Sequence, residues 1–282
     1  MTIPWKIKST IFRLIDIFSA NAFLYFFQKN VTKRSRITKI EVNDNWVSHK
    51  STLIENGCTE FIFEFGAGKS LTQNLYLSDT IDRQLVVDLN PMIDLKLVEQ
   101  SRSLLASKVN LKANTEIKFL DNLASYGIEY RAPYDASKTD LPDKSLDACI
   151  STNTLEHIPK ESIRAILNEL YRTLKNTGVV SAKIDYSDHY AHTDSSITLL
   201  NFLNFSEYEW RKYNHNCHYQ NRLRHNDYKK IFLDCNFEII SEDLFFGEED
   251  ISDILRKKYK DDDLSWCATS ALFVLKKNLL RK

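Results

Sequence analysis

Glycine is scarce in this chain, with six among 282 residues, and proline is scarcer, with five. Net charge is missing too. Thirty-eight lysines and arginines balance 38 aspartates and glutamates. That balance removes the global electrostatic footprint expected of a nucleic-acid binder. The cysteines lack a pattern. Cys58, Cys149, Cys217, Cys235 and Cys267 are odd in number and widely spaced, and no CxxC occurs. Reduced structural thiols in a cytoplasmic protein are therefore expected, not a disulfide framework or a zinc site. Long hydrophobic runs are absent near the N-terminus. Lys6, Lys8, Arg13 and Asp16 break up the apolar core a signal peptide needs. The uncharged run from Ile17 to Gln28 is well short of the roughly 20 residues of a membrane span.

What remains is ordinary globular material, 43% apolar, enough for one large α/β domain with a helical extension. Residues 4–28 read as an amphipathic helix, with Ile7, Ile11, Leu14, Ile15, Phe18, Ala22 and Phe26 on one face. That face is expected to pack on the main domain. The alternative is peripheral contact with the inner membrane, favoured by the basic flank Lys29, Lys33, Arg34, Arg36 and Lys39. The extension is set at residues 1–50 and the main domain at 51–282.

Beyond residue 57, short apolar strands alternate with helical stretches. Strands are expected at 61–65, 84–89, 128–130, 146–152 and 179–185. A marked helix lies between the last two, opened by Pro159 and lined by Ile163, Ile166, Leu167, Leu170 and Leu174. Two further strands, 237–246 and 271–276, end the pattern. The alternation implies right-handed parallel βαβ units in a doubly wound sheet. Residues 186–227 differ in character. They are rich in His, Tyr, Asn, Asp and Arg and contain no glycine or proline, so they read as a functional insertion and not as a connector.

The sharpest local signal is Glu64-Phe65-Gly66-Ala67-Gly68-Lys69-Ser70, which follows the first strand and opens a helix. Glycines here let backbone turn tightly and approach a ligand. A phosphate-binding P-loop would need a glycine five positions before Gly68, where Phe63 stands inside the strand. A dinucleotide fingerprint would need a third glycine at Leu71, which weakens an NAD-dependent oxidoreductase or epimerase.

An acidic residue followed by G-x-G at the end of the first strand resembles the class I S-adenosylmethionine-dependent methyltransferases. The resemblance runs from about residue 58 to the C-terminus. Asp88 ends the second strand, Tyr134-Asp135-Ala136 follows the third, and Ser151-Thr152-Asn153-Thr154-Leu155-Glu156-His157 ends the fourth. By this resemblance Gly66, Gly68, Asp88, Asp135, Ala136 and Asn153 hold S-adenosylmethionine, with Glu64 shaping the loop beneath. Asp88 would take the ribose hydroxyls and Asp135 the adenine amino group. The resemblance also implies an antiparallel last strand in an otherwise parallel, Rossmann-like sheet.

The fifth strand leads into Ile184-Asp185-Tyr186-Ser187-Asp188-His189-Tyr190-Ala191-His192, and further on comes Asn221-Arg222-Leu223-Arg224. This pattern is similar to a bacterial subgroup of methyltransferases associated with surface polysaccharide biosynthesis. The match departs at Asn204, where arginine is expected. Methyl transfer to a hydroxyl gains from a general base. His189, oriented by Asp185 or Asp188, is the expected catalytic base, with His157 its rival. His157, His192, Arg222 and Arg224 are expected to bind the acceptor, the arginines through a phosphate or carboxylate. A satisfied polar network bracing the insertion is the structural alternative. No metal is expected, although Asp and His suit a divalent ion. The expected reaction is O-methylation of a sugar or related small polar acceptor. A catalytically inactive, methyltransferase-like binding protein is the non-enzymatic alternative.

Overall fold

The protein is described here by a computed structural model covering residues 3–18, 36–247, 255–256 and 263–280. Seven strands form one sheet in the order β3-β2-β1-β4-β5-β7-β6. They are β1 (Phe61–Phe65), β2 (Arg83–Val87), β3 (Ile128–Arg131), β4 (Leu146–Thr152), β5 (Leu174–Asp185), β6 (Phe237–Phe245) and β7 (Ser270–Lys277). β1 to β5 are mutually parallel, and β7 runs antiparallel between β5 and β6. This is the Rossmann-like arrangement, with its antiparallel last strand, that the sequence led us to expect. The order reverses between β1 and β4, which opens a crevice at the C-terminal edge of the strands. Ile62, Phe63, Leu85, Val86, Ala148 and Ile150 are fully buried, as expected of parallel strands covered on both faces.

Helices flank the sheet. They are α1 (Trp5–Ile17), α2 (Asp44–Glu55), α3 (Thr72–Leu77), α4 (Leu95–Leu105), α5 (Lys160–Thr173), α6 (Glu207–Trp210) and α7 (His225–Asp234). On α5 the residues Ile163, Ile166, Leu167 and Leu170 form a continuous buried stripe. Leu174, expected to continue that stripe, instead begins β5, five residues before the strand was expected to start. α2 crosses the boundary set at residue 50 and packs on the sheet. Its Leu53 is fully buried, and His49 hydrogen-bonds Ser181 Oγ at 2.7 Å and Thr152 Oγ1 at 3.0 Å. Burial drives that imidazole down to about 4, so it is neutral.

α1 corrects the expected helix face. Ile7, Ile11, Leu14 and Phe18 are exposed, and the buried stripe is Trp5, Ser9, Phe12 and Ile15. Of the expected face only Ile15 is buried; Ala22 and Phe26 lie outside the described residues. The reason is the shape of the partner surface. Trp5 enters an aromatic cluster built from the insertion, with ring centroids 4.8 Å from Tyr213, 5.6 Å from Tyr190 and 5.7 Å from Phe205. Two polar anchors fix the helix there. The Trp5 backbone N–H donates to Asp194 Oδ2 at 2.7 Å, and Asp16 accepts from the N–H groups of Asn216 and Cys217. α1 thus packs on residues 186–227, which it braces.

Candidate active site

At the crevice a cavity of about 450 Å³ opens beside the end of β1, within the range of ligand pockets. Four strand ends contribute to it: Gly66 after β1, Asp88 to Met92 after β2, Tyr134 to Ser137 after β3, and Thr154 with His157 after β4. The loop from β1 to α3 turns through residues with left-handed backbone, Gly66 at φ +77°, Gly68 at φ +74° and Leu71 at φ +47°. A Cβ on Gly66 would sit 2.3 Å from Thr154 Cγ2, whereas a Cβ on Gly68 would meet nothing within 4 Å. The loop therefore approaches the β4 loop as closely as backbone permits.

The Asp88 carboxylate faces this cavity from a 5% exposed residue. Tyr130 donates its hydroxyl to Oδ2 at 2.9 Å, and the Gly68 N–H also reaches the carboxylate. Burial pushes Asp88 up despite these donors. A buried carboxylate held at two points is suited to a pair of vicinal ribose hydroxyls. Asp135 is exposed, with Oδ1 accepting from the backbone N–H and hydroxyl of Ser137, which hold it below the usual carboxylate range. Its neighbour Ala136 is buried in the cavity wall. The size, the glycine cradle and the buried carboxylate together fit an adenosine-containing ligand.

Glu64 supports the loop without lining this cavity. Asn74 Nδ2 donates to Oε2 at 2.6 Å and Gln73 Nε2 to Oε1 at 3.2 Å, tying β1 to α3. Burial pushes its carboxyl up to about 7. Asn153 is also displaced from its expected place. With φ +50° it turns to a second recess of about 210 Å³, shared with Lys183, Asp185, Ser187 and His192.

The insertion brings a cluster of imidazoles to the edge of the cofactor cavity. The His157 ring, which lines that cavity, lies 4.8 Å from the His189 ring, and His189 lies 5.0 Å from His192. Asp185 Oδ2 is 3.4 Å from His189 Nε2 and 3.7 Å from His192 Nε2. Although burial opposes its ionisation, hydrogen bonds from His189 and Ser187 hold Asp185 below the usual carboxylate range. The second carboxylate expected beside His189 serves elsewhere. Asp188 is fully buried, and it accepts from the Tyr190 N–H at 2.9 Å and from Asn201 Nδ2 at 2.8 Å. It shapes the turn that presents His189.

The two arginines are likewise structural. Arg224 donates to the main-chain carbonyls of Trp266, Tyr186 and Ala268. Arg222 donates to those of Phe202 and Phe205 and pairs with Glu207. Both guanidiniums are engaged in closing the insertion, so they are not the acceptor's anion site. This part of the polar-network alternative describes them correctly.

Sequence reasoning missed three groups. Glu156 is 2% exposed, and burial pushes its carboxyl up to about 8. Lys183 is buried in the smaller recess, donates to Ser270 Oγ at 2.9 Å, and is driven by burial down to about 8. His218 stands 6.2 Å from His189, and burial drives it down to about 3. The acidic residue beside His157 in the β4 loop was the available signal for Glu156. Nothing local marks the other two, because their burial depends on distant chain.

Residues 64–182 match the family described as a methyltransferase domain. Among solved structures, the YcgJ protein from Bacillus subtilis is 14% identical, over 83% of this chain and 97% of its own, with a TM-score of 0.49. An S-adenosylmethionine-dependent methyltransferase from Clostridium acetobutylicum is 12% identical, over 92% and 99%, with a TM-score of 0.47. One from Archaeoglobus fulgidus is 16% identical, over 82% and 94%, with a TM-score of 0.43. No curated protein matches the chain. The matched stretch, residues 64–182, carries the strand ends that build the cavity. The cofactor that this methyltransferase-domain match implies is S-adenosylmethionine.

Proposed function

We propose that this methyltransferase acts on a hydroxyl oxygen of a small polar acceptor, a sugar being the leading class. The observation that carries the reading is the imidazole–carboxylate cluster at the end of β5, joined to the cofactor cavity through His157. Bound in the cavity, S-adenosylmethionine supplies a methyl group on a sulfonium, already activated for displacement. The chain's own task is to align the acceptor and to help its proton leave, since a sugar hydroxyl is scarcely ionised at neutral pH. His189, with Asp185 on its ring, carries this activation in the proposal. His157 and His192 flank it and receive the acceptor. Gly66, Gly68, Asp88, Asp135 and Ala136 hold the cofactor, while Glu64 and Asn153 support the loops around it.

The test measures methyl transfer to a panel of sugars and of amine and carbon acceptors, with cofactor affinity by calorimetry. His189→Ala is expected to lower kcat by about 10²–10⁴-fold with cofactor affinity nearly unchanged. Asp88→Ala is expected to weaken S-adenosylhomocysteine by about 1–3 kcal/mol through lost charge-assisted hydrogen bonds. Methylation confined to amine or carbon acceptors would overturn the oxygen assignment. Cofactor binding without turnover on any acceptor would favour a binding protein.

A further inference from the structure

The described residues contain six buried side-chain polar atoms with no hydrogen-bond partner, and four of them belong to Glu156, His189 and His218. Orphaned groups are rare in folded proteins and costly, at about 1–3 kcal/mol each. Here they converge. One donor atom from each of Glu156, His157 and His189 falls within 4.8 Å of the others. We propose that these three residues hold a divalent transition-metal ion of the zinc type, and that the ion binds and activates the acceptor hydroxyl. The proposal deepens the oxygen-acceptor reading and rests on it for the second clause only.

Each ligand is prepared for the role. Glu156 is 2% exposed and neither carboxylate oxygen has a side-chain partner, while the backbone N–H groups of Glu156 and Asp185 approach it. A carboxylate so placed lacks the cation that would offset its burial. His157 Nδ1 lies 2.9 Å from the Tyr219 carbonyl oxygen. A carbonyl can only accept, so Nδ1 carries the proton and Nε2 presents its lone pair. A carbonyl behind the far nitrogen is the usual support of a metal-bound imidazole. His189 offers a ring nitrogen within 4.8 Å of the other two ligands, and Asp185 Oδ2, 3.4 Å from Nε2, lies beside the same ring to orient it.

Geometry and charge agree. Tetrahedral bonds of about 2.0–2.1 Å put ligand atoms about 3.4 Å apart, so small rotations of the two imidazoles would close the site. The carboxylates of Glu156 and Asp185 match the charge of a divalent ion. Two nitrogens and one oxygen suit zinc, and not magnesium, which prefers oxygen and water. Three protein ligands leave a fourth position open, on the side where exposed His157 borders the cofactor cavity. With His189 bound to the ion, it would act through the ion and not as the base, and an acceptor hydroxyl there would lose its proton to Asp185 or to water. Its oxygen would then form a bond to the methyl carbon as the carbon–sulfur bond breaks, leaving the electron pair on sulfur.

The experiment uses the full chain, stripped with chelator and titrated with Co²⁺, then with Zn²⁺ and Mg²⁺ in competition. Expected are one Co²⁺ per chain, visible ligand-field absorption with nitrogen ligands, displacement by Zn²⁺ and none by Mg²⁺. Glu156→Gln, which keeps the side chain's size, and His189→Ala should each weaken binding at least tenfold, roughly the scale of altered metal sites. His192→Ala should bind the ion like the parent. Melting temperature and S-adenosylhomocysteine affinity verify that each variant is folded. Absence of stoichiometric binding, or equal binding by Glu156→Gln and His189→Ala, overturns the site. Hydroxyl methylation as fast without the ion as with it overturns its catalytic role and leaves methyl transfer intact. One ion bound with no hydroxyl methylated leaves the site standing and sinks the oxygen acceptor.

Discussion

Alanine at Gly66 and at Gly68 should have different consequences, although the two glycines share nearly the same backbone conformation, φ +77° and +74°. Each substitution places a side chain in the left-handed region, at about 1–2 kcal/mol. At Gly68 that is the whole structural cost, because nothing lies within 4 Å of the new Cβ. At Gly66 the new carbon would lie 2.3 Å from Thr154 Cγ2 and 2.7 Å from Oγ1. Rotating Thr154 gives little relief, since its Cβ would itself be 3.1 Å away. The β4 loop must then move, adding about 1–3 kcal/mol of overpacking. Gly66→Ala should thus cost about 2–5 kcal/mol and Gly68→Ala about 1–2. Adding Thr154→Ala to Gly66→Ala removes the two nearest atoms and should recover about half or more of the steric part. Urea denaturation followed by circular dichroism reads the stabilities, and calorimetry with S-adenosylhomocysteine reads the cofactor site. Gly68→Val should remove cofactor binding while leaving a folded protein. Equal losses at the two glycines, or no recovery with Thr154→Ala, would refute the close approach of the two loops.

Two further outcomes follow from buried groups elsewhere. Glu64 has its carboxyl raised from 4.5 to about 7 by burial, so the folded state keeps a proton that the unfolded state has lost. Stability from this group is present below about 4.5 and declines as pH rises through 7, by about 3 kcal/mol at ~1.4 kcal/mol per pH unit. Glu64→Gln should therefore gain on the parent between pH 5 and pH 8 in the cofactor-free protein, and a pH-independent difference in urea stability would contradict this. Deleting residues 1–28 should lower the melting temperature, because Trp5, Phe12 and Ile15 leave the aromatic cluster of the insertion. An unchanged melting temperature, with loss of sedimentation on anionic vesicles, would instead assign the exposed Ile7, Ile11, Leu14 and Phe18 to a membrane surface.

The parts of the site that could be read from sequence are those fixed by short-range geometry. β4 has the bounds its apolar run implies, 146–152, because a parallel strand buried on both faces leaves little room for register ambiguity. Gly66, Asp88 and Ala136 could be brought to one cavity by counting strand ends alone, since every parallel strand delivers its following loop to the same edge. Where the outcome depended on what lies across the fold, the residue type was ambiguous. A guanidinium that forks onto an acceptor's carboxylate and one that forks onto three carbonyls present the same five donors. The sequence around Arg224 cannot distinguish them, and in the fold its donors meet Trp266, Tyr186 and Ala268.

The same ambiguity decided α1. Helical spacing places Ile7, Ile11 and Leu14 on a plausible buried face, yet the partner surface is a bowl of aromatic rings that accepts Trp5 and Phe12, about 140° away around the helix. Hydrophobicity ranks the isoleucines well; area and shape favour the indole, which buries more surface and fits between tilted rings. Glu156 shows the limit from the opposite side. Its letter is that of a surface helix-start residue, and only the closure of residues 186–227 over β4 removes it from water. That closure is itself held by Asn221, whose Nδ2 donates to the Leu155 and Ile158 carbonyls and whose N–H donates to the Glu156 carbonyl. A buried carboxylate with no side-chain partner is thus a product of tertiary structure.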